Sequence, residues 1–135
     1  MHAPPRRHIL VVAHRSVATP AIVDELRHRA DAQRCDIALL IPDAGDEAAR
    51  WTLKRAARMI GKEVGAPVEG LIAEAADPFE AIAAAVRDHH YDEIVISTLP
   101  AANSTWLQED LPARVRELGP AVAVVTPPAR EAPAL

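Results

Sequence analysis

DEIVISTLPAANSTWLQEDLPARV, residues 92–115, opens as an apolar run and closes in a helical pattern, and the loop between them is rich in Ser, Thr and Asn but has no glycine. The run Glu93–Thr98 is nearly continuous in Ile and Val, as in a parallel strand covered on both faces. In a parallel α/β domain, the junction from such a strand into the next helix is where a ligand phosphate normally rests. The rest of the chain decides the fold by whether it repeats this strand-to-helix step.

It does repeat. Further apolar runs lie at Ile9–Ala13, Asp36–Ile41, Val68–Ala73 and Ala121–Thr126. Of all the runs, the first, fourth and fifth are the most continuous in Val, Ile, Leu and Ala, which predicts burial on both faces. Helical patterns fill the gaps. Thr19-Pro20 supplies an N-cap with proline at the first helical position, followed by Ile22, Leu26 and Ala30. Ala49, Leu53, Ala56, Ile60 and Val64 form one stripe of a longer helix that stops near Gly65. Asp77-Pro78-Phe79-Glu80 reads as a capping box with Asp as the cap, and Phe79, Ile82, Ala83 and Val86 are expected to face the core. A fourth helix is expected from Asp110, since Pro112 is tolerated only in a first turn. Strands alternating with helices predict a single three-layer α/β domain: a five-stranded parallel sheet and four helices, with right-handed crossovers. The domain is expected to span residues 1–127, with the Pro- and Ala-rich stretch 128–135 as a frayed tail.

With 135 residues the chain is long enough for one substantial core, and at 3% aromatic content that core must be aliphatic. A formal charge of −4 gives no reason to expect nucleic acid or an anionic membrane as partner. The lone Cys35 excludes an internal disulfide and fits a reducing compartment. Ile9–Ala13 is too short for the core of a secretory signal, and no stretch approaches the roughly 18 apolar residues of a membrane span. The expectation is a soluble cytoplasmic protein.

The layout resembles the universal stress protein family over nearly the whole chain. The segments ILVVAHRS (residues 9–16), DEIVIST (residues 92–98) and RVRELGPAVAVV (residues 114–125) carry the likeness. This resemblance implies a Rossmann-like sheet in the order 3-2-1-4-5, frequent dimerisation and, in many members, ATP binding without conventional enzymatic activity. In ATP-binding members an Asp ends the first strand; His14 stands there in this chain. The family's phosphate signature is a glycine, two residues, a glycine, nine residues and then Gly-Ser or Gly-Thr. Ser97, Pro100, Asp110 and Leu111 occupy those positions, so every glycine is replaced.

The replacement has a physical cost. Glycines let successive backbone N–H groups approach a phosphate, and Pro100 has no N–H to offer. Asp110 stands where a helix N-terminus would attract the anion, and its own carboxylate is expected to take that cap. A phosphate about 4 Å from a carboxylate is opposed by roughly 4 kcal/mol at an effective dielectric near 20. The helix dipole returns only about 0.3–1 kcal/mol. Repulsion wins unless Arg15 or a metal ion intervenes.

Candidate ligand residues therefore cluster at strand ends: Ala13, His14, Arg15 and Ser16 after the first strand, Ile41 after the second, and Ser97, Thr98, Asn103, Ser104 and Thr105 after the fourth. The Ser, Thr and Asn positions also suit capping and loop solvation, which is the preferred reading of the loop. His14 and Ser16 could serve as base and nucleophile, but no carboxylate partner is assignable and no G-x-S-x-G elbow is present, so no catalytic residue is assigned. Adjacent His89 and His90 lack metal-ligand spacing, and no metal is assigned. Arg50, Lys54, Arg55, Arg58 and Lys62 form a basic stripe, read as the solvated outer face of the second helix. Trp51 and Trp106 could be contact residues or covers for the core edge.

Two readings follow. The first is a dimeric binding or regulatory module with an altered or lost nucleotide site, pairing through the last strand, Ala121–Thr126, whose Val-rich edge carries no blocking charge. The second is a working ATP or adenine-nucleotide binder that relies on Arg15 and the Ser/Thr/Asn loop, with slow hydrolysis at most. ATP is the one cofactor the resemblance allows.

Overall fold

The computed structural model describes residues 7–13, 20–41, 47–72, 77–97 and 111–125. Strands and helices alternate along them in the order β1 (Arg7–Val12), α1 (Pro20–Ala32), β2 (Cys35–Ile41), α2 (Glu47–Val64), β3 (Val68–Ile72), α3 (Pro78–Asp88), β4 (Glu93–Ser97), α4 (Leu111–Arg116) and β5 (Ala121–Val125). The strands form one parallel sheet in the order β3-β2-β1-β4-β5. Five parallel strands and four helices are what the alternation of runs predicts, and their order is the one the resemblance implies.

The centre of the sheet explains the apolar continuity of the first run. Ile9, Val11 and Ala13 face a core completed by Ile22 and Leu26 of α1 and by Leu53 and Ile60 of α2. Leu10 and Val12 face a second core with Ala81 and Ile82 of α3 and Leu111 and Val115 of α4. Alternate residues of one strand thus feed two layers, with α1 and α2 on one face and α3 and α4 on the other. Side chains of this size gain about 1.5–3 kcal/mol each on full burial. A polar residue at any position from 9 to 12 would therefore open one of the two cores.

Local signals set the helix ends. The Asp77 carboxylate accepts the Glu80 N–H (3.1 Å) with Asp77 in extended backbone, the capping interaction read from the sequence. α2 stops where Gly65 takes a φ of +75° and donates its N–H to the Gly61 carbonyl (2.9 Å). At that same terminus Arg27 of α1 donates to the Glu63 carbonyl (3.1 and 3.3 Å), placing a cation on the negative end of the helix. α4 is described from Leu111 with Pro112 in its first turn, and the expected first residue, Asp110, lies outside the described residues.

Three expectations need correcting. β1 begins at Arg7 rather than Ile9, because Arg7 and His8 already pair with Cys35 and Asp36 at the strand's amino end, where backbone bonding needs no apolar side chain. β5 is not covered on both faces: it has only β4 beside it, Ala121 and Val124 are exposed, and Val125 alone is buried. On α3, Ile82 is buried and Phe79 and Val86 pack against the core as expected, Phe79 with the Arg114 guanidinium 4.4 Å above its ring, whereas Ala83 is only partly buried and Ala81 takes the buried place beside Ile82. The segment 128–135 and Trp106 lie outside the described residues.

Gly70 on β3 lies directly against Leu53 of α2. A Cβ placed there would meet the Leu53 Cγ at 3.0 Å, and Leu53 is itself buried. Gly70→Ala is therefore expected to destabilise by about 1–3 kcal/mol through overpacking. The smaller partner Leu53→Ala costs about 2–5 kcal/mol alone, and pairing it with Gly70→Ala should relieve the clash. Urea unfolding of the two single variants and the double variant checks this; a Gly70→Ala protein as stable as the parent would contradict it.

Candidate functional site

In an open parallel sheet the ligand edge lies beyond the carboxyl ends of the strands, where the strand order changes direction. That point falls between β1 and β4, because the chain winds from β1 to β2 and β3 and then returns to the other side of β1. The register ends Val12 opposite both Leu40 and Ile96. One residue further on, Ala13, Ile41 and Ser97 form a row across three adjacent strands. The Ala13 N–H extends the ladder to the Leu40 carbonyl (3.1 Å).

The pleat puts these residues on the α1/α2 side, since Ala13, Ile41 and Val95, two residues before Ser97, all pack there. Ala13 and Ile41 are buried and apolar and form the floor. Ser97 is the polar member of the row, at 6% exposure. Among the described residues its hydroxyl has no hydrogen-bond partner, and a buried hydroxyl left unpaired costs about 1–3 kcal/mol. The arrangement offers a donor and acceptor at the switch point over an aliphatic floor. His14, Arg15, Ser16, Thr98, Asn103, Ser104 and Thr105 lie outside the described residues.

The opposite edge holds the charges. Glu93 opens β4 at only 8% exposure and accepts a two-pronged contact from Arg29 of α1, Nε to Oε1 at 2.8 Å and Nη2 to Oε2 at 3.0 Å. Arg7 of β1 adds a longer contact at 3.4 Å, and Arg29 also donates to the Glu25 carboxylate (2.8 Å) and carbonyl (2.9 Å). Burial alone would raise the Glu93 carboxyl, but the hydrogen bonds and charge of Arg29, helped by Arg7, hold it below the usual carboxylate range. The hydrogen bond to Glu93 in turn raises Arg29 further above its ordinary value.

Beside this cluster the His8 N–H donates to the Asp92 carboxylate (2.8 Å), and the Asp92 N–H returns to the His8 carbonyl (2.8 Å). The His8 N–H lowers the Asp92 carboxyl. An open groove of about 300 Å³ lies at the same edge, lined by His8, Asp36, Glu69, His89, His90 and Tyr91. His8 sits 3.9 Å from Asp36 and His90 3.4 Å from Asp92, and His90 remains 83% exposed, so the groove is not a preorganised site. Burial pushes the Tyr91 hydroxyl up, reinforced by the charges of Glu69 and Asp88. Among the described residues no three His, Cys, Asp or Glu side chains converge as metal ligands.

Sequence reasoning missed the Glu93–Arg29 pair. Its trace was legible: a carboxylate at the head of an otherwise apolar strand, and Glu25 four residues before Arg29 on one helix face.

No protein-family model and no curated protein matches this sequence. Solved structures do match. A universal stress protein from Archaeoglobus fulgidus aligns over 88% of this chain and 93% of its own, with a TM-score of 0.63 and 18% identity. A universal stress protein in complex with cAMP aligns over 89% of this chain and 97% of its own (TM-score 0.60, 16% identity). The Archaeoglobus fulgidus protein in complex with dAMP covers 91% of this chain and 99% of its own (TM-score 0.58, 16% identity). At such identities the likeness shows a shared fold.

The Glu93 pair generates a pH dependence of defined sign. A carboxyl held lower in the folded state than in the unfolded chain stabilises fully above the unfolded value, about 4.3, and that stabilisation is lost as pH falls through the folded value. Glu93→Gln is expected to cost about 1.5–3 kcal/mol at neutral pH, the range for hydrogen bonds to charged groups, and to flatten the acid limb of stability against pH. Denaturant unfolding of both proteins from pH 7 down to 3 checks it; parallel curves would contradict the assignment.

Proposed function

We propose that this chain is a universal stress protein-like binding module of the stress response, working as a homodimer with an altered nucleotide site rather than as a conventional enzyme. The observation that carries this reading is Ser97. It closes β4 at the switch point, in the place where the resemblance puts the first phosphate-cradling glycine. The loop that follows brings Pro100 and Asp110 and no glycine. Pro100 lacks an N–H, and a carboxylate immediately before α4 opposes an incoming phosphate by more than a helix dipole repays.

A second reading has its own support. Two structural neighbours are universal stress proteins in complex with cAMP and dAMP, and the Ser97 hydroxyl, without a partner among the described residues, suits a polar ligand. On this reading Arg15 and the Ser/Thr/Asn loop hold an adenine nucleotide without the usual cradle.

Homodimerisation through Ala121–Thr126 is supported by the position of β5. The strand forms one edge of the sheet and leaves Val124 37% exposed. An uncharged, apolar edge is a template for pairing with a second copy.

Thermal melts with and without millimolar Mg-ATP, and with cAMP, test the nucleotide proposal. A ligand present at about 100 times its Kd adds roughly 2.7 kcal/mol, several degrees for a domain of this size. The parent protein is expected to show no shift, while Asp110→Gly gains one. A clear shift in the parent that Arg15→Ala abolishes would establish the second reading instead. Light scattering at micromolar concentration is expected to give a dimer, twice 14.5 kDa, and Val124→Lys a monomer. A monomeric parent would remove dimerisation from the proposal.

A further inference from the structure

The outer face of α2 carries a second feature, independent of the carboxyl edge. Residues 50–62 contain five cations, Arg50, Lys54, Arg55, Arg58 and Lys62, and no acid. Five positive charges on a chain of formal charge −4 leave −9 on the remainder. All five are exposed, while Leu53, Ala56, Ala57 and Ile60 turn inward. Among the described residues none of the five has an ion-pair partner, in contrast to Arg7, Arg27 and Arg29, which all do.

Amid these charges stand two large apolar side chains open to solvent, Trp51 at 63% and Met59 at 41% exposure. Trp51, Arg55 and Met59 lie four residues apart and so along one ridge of the helix. The Arg55 guanidinium sits 5.2 Å from the centre of the Trp51 ring, so cation and aromatic face stand together on the ridge. A purely solvated helix face has no need of either apolar residue.

We propose that this face docks an acidic segment of a partner protein, whose carboxylates meet Arg55, Arg58 and Lys62 while an apolar side chain packs on Trp51 and Met59. Trp, Met and Arg are the residues enriched where protein partners meet, and Trp and Arg supply most hot spots. Arginine forks bind carboxylates through two parallel hydrogen bonds. Size decides between anionic partners. From Arg50 to Lys62 the face runs about 18 Å along the helix, whereas charges are screened over about 8 Å at physiological salt. A bilayer or nucleic-acid duplex extends well past the face and meets the negative remainder; a short acidic segment stays within it.

The test uses a fluorescein-labelled peptide of Glu residues interspersed with Leu and a single Phe, read by fluorescence anisotropy against the whole chain. Saturable binding is expected, falling with added salt and weakened at least about tenfold by Trp51→Ala and by Arg55→Glu/Arg58→Glu. Both variants change exposed side chains, and circular dichroism melts verify that they remain folded. The proposal fails if the peptide does not bind, if folded variants bind it unchanged, or if phosphatidylserine vesicles or duplex DNA bind more tightly. Asp110→Gly, which alters the carboxyl edge, should leave peptide binding unchanged and so keeps this test separate from that of the nucleotide site.

Discussion

One constraint organises the molecule: β1 must be apolar on both of its faces. A strand in the middle of a parallel sheet has helices above and below, so Ile9 and Val11 cannot be traded against Leu10 and Val12. From that strand the chain winds outward twice, first to β2 and β3 and then to β4 and β5. Open α/β sheets place their ligand crevice where the winding reverses, which here is beyond the carboxyl ends of β1 and β4. The candidate site therefore follows from the burial of one strand before any functional residue is considered.

The two ends of the sheet divide their tasks. At the amino end the charges are matched: Glu93 to Arg29 and Arg7, Asp92 to the His8 backbone. These contacts link β4 to α1 and β1 across both layers of connection. At the carboxyl end Ser97 is buried without a partner among the described residues, above the apolar floor of Ala13 and Ile41. This asymmetry agrees with the general placement of ligands in open α/β sheets.

The fold was legible because apolar runs and caps are local signals. Asp77-Pro78 and Gly65 needed no tertiary knowledge to be read as a helix start and stop. The errors arose where neighbours decide the outcome. The sequence AVAVV looks covered on both faces, yet at the sheet edge Ala121 and Val124 stay exposed. Ala83 shares the helical spacing of the core positions, yet it stays only partly buried while Ala81 is buried in its place. Trp51 could not be assigned from the sequence at all; its exposure depends on which way α2 turns on the sheet. Glu93 was hidden for the same reason, because its partner Arg29 lies 64 residues away and meets it only through the packing of α1. Of the candidate site, Ala13, Ile41 and Ser97 came together because strand ends in a parallel sheet are aligned by register.

The aliphatic interior has an optical consequence. Among the described residues Tyr91 is the one buried aromatic side chain, and the Trp51 indole already stands in water in the native state. Unfolding would move that indole from one aqueous setting to another, so its emission should scarcely register the loss of either core. In a Trp106→Phe variant, where Trp51 is the sole indole, emission would report events on the helix surface rather than collapse of the interior, and calorimetry or backbone dichroism would be the informative way to follow the transition.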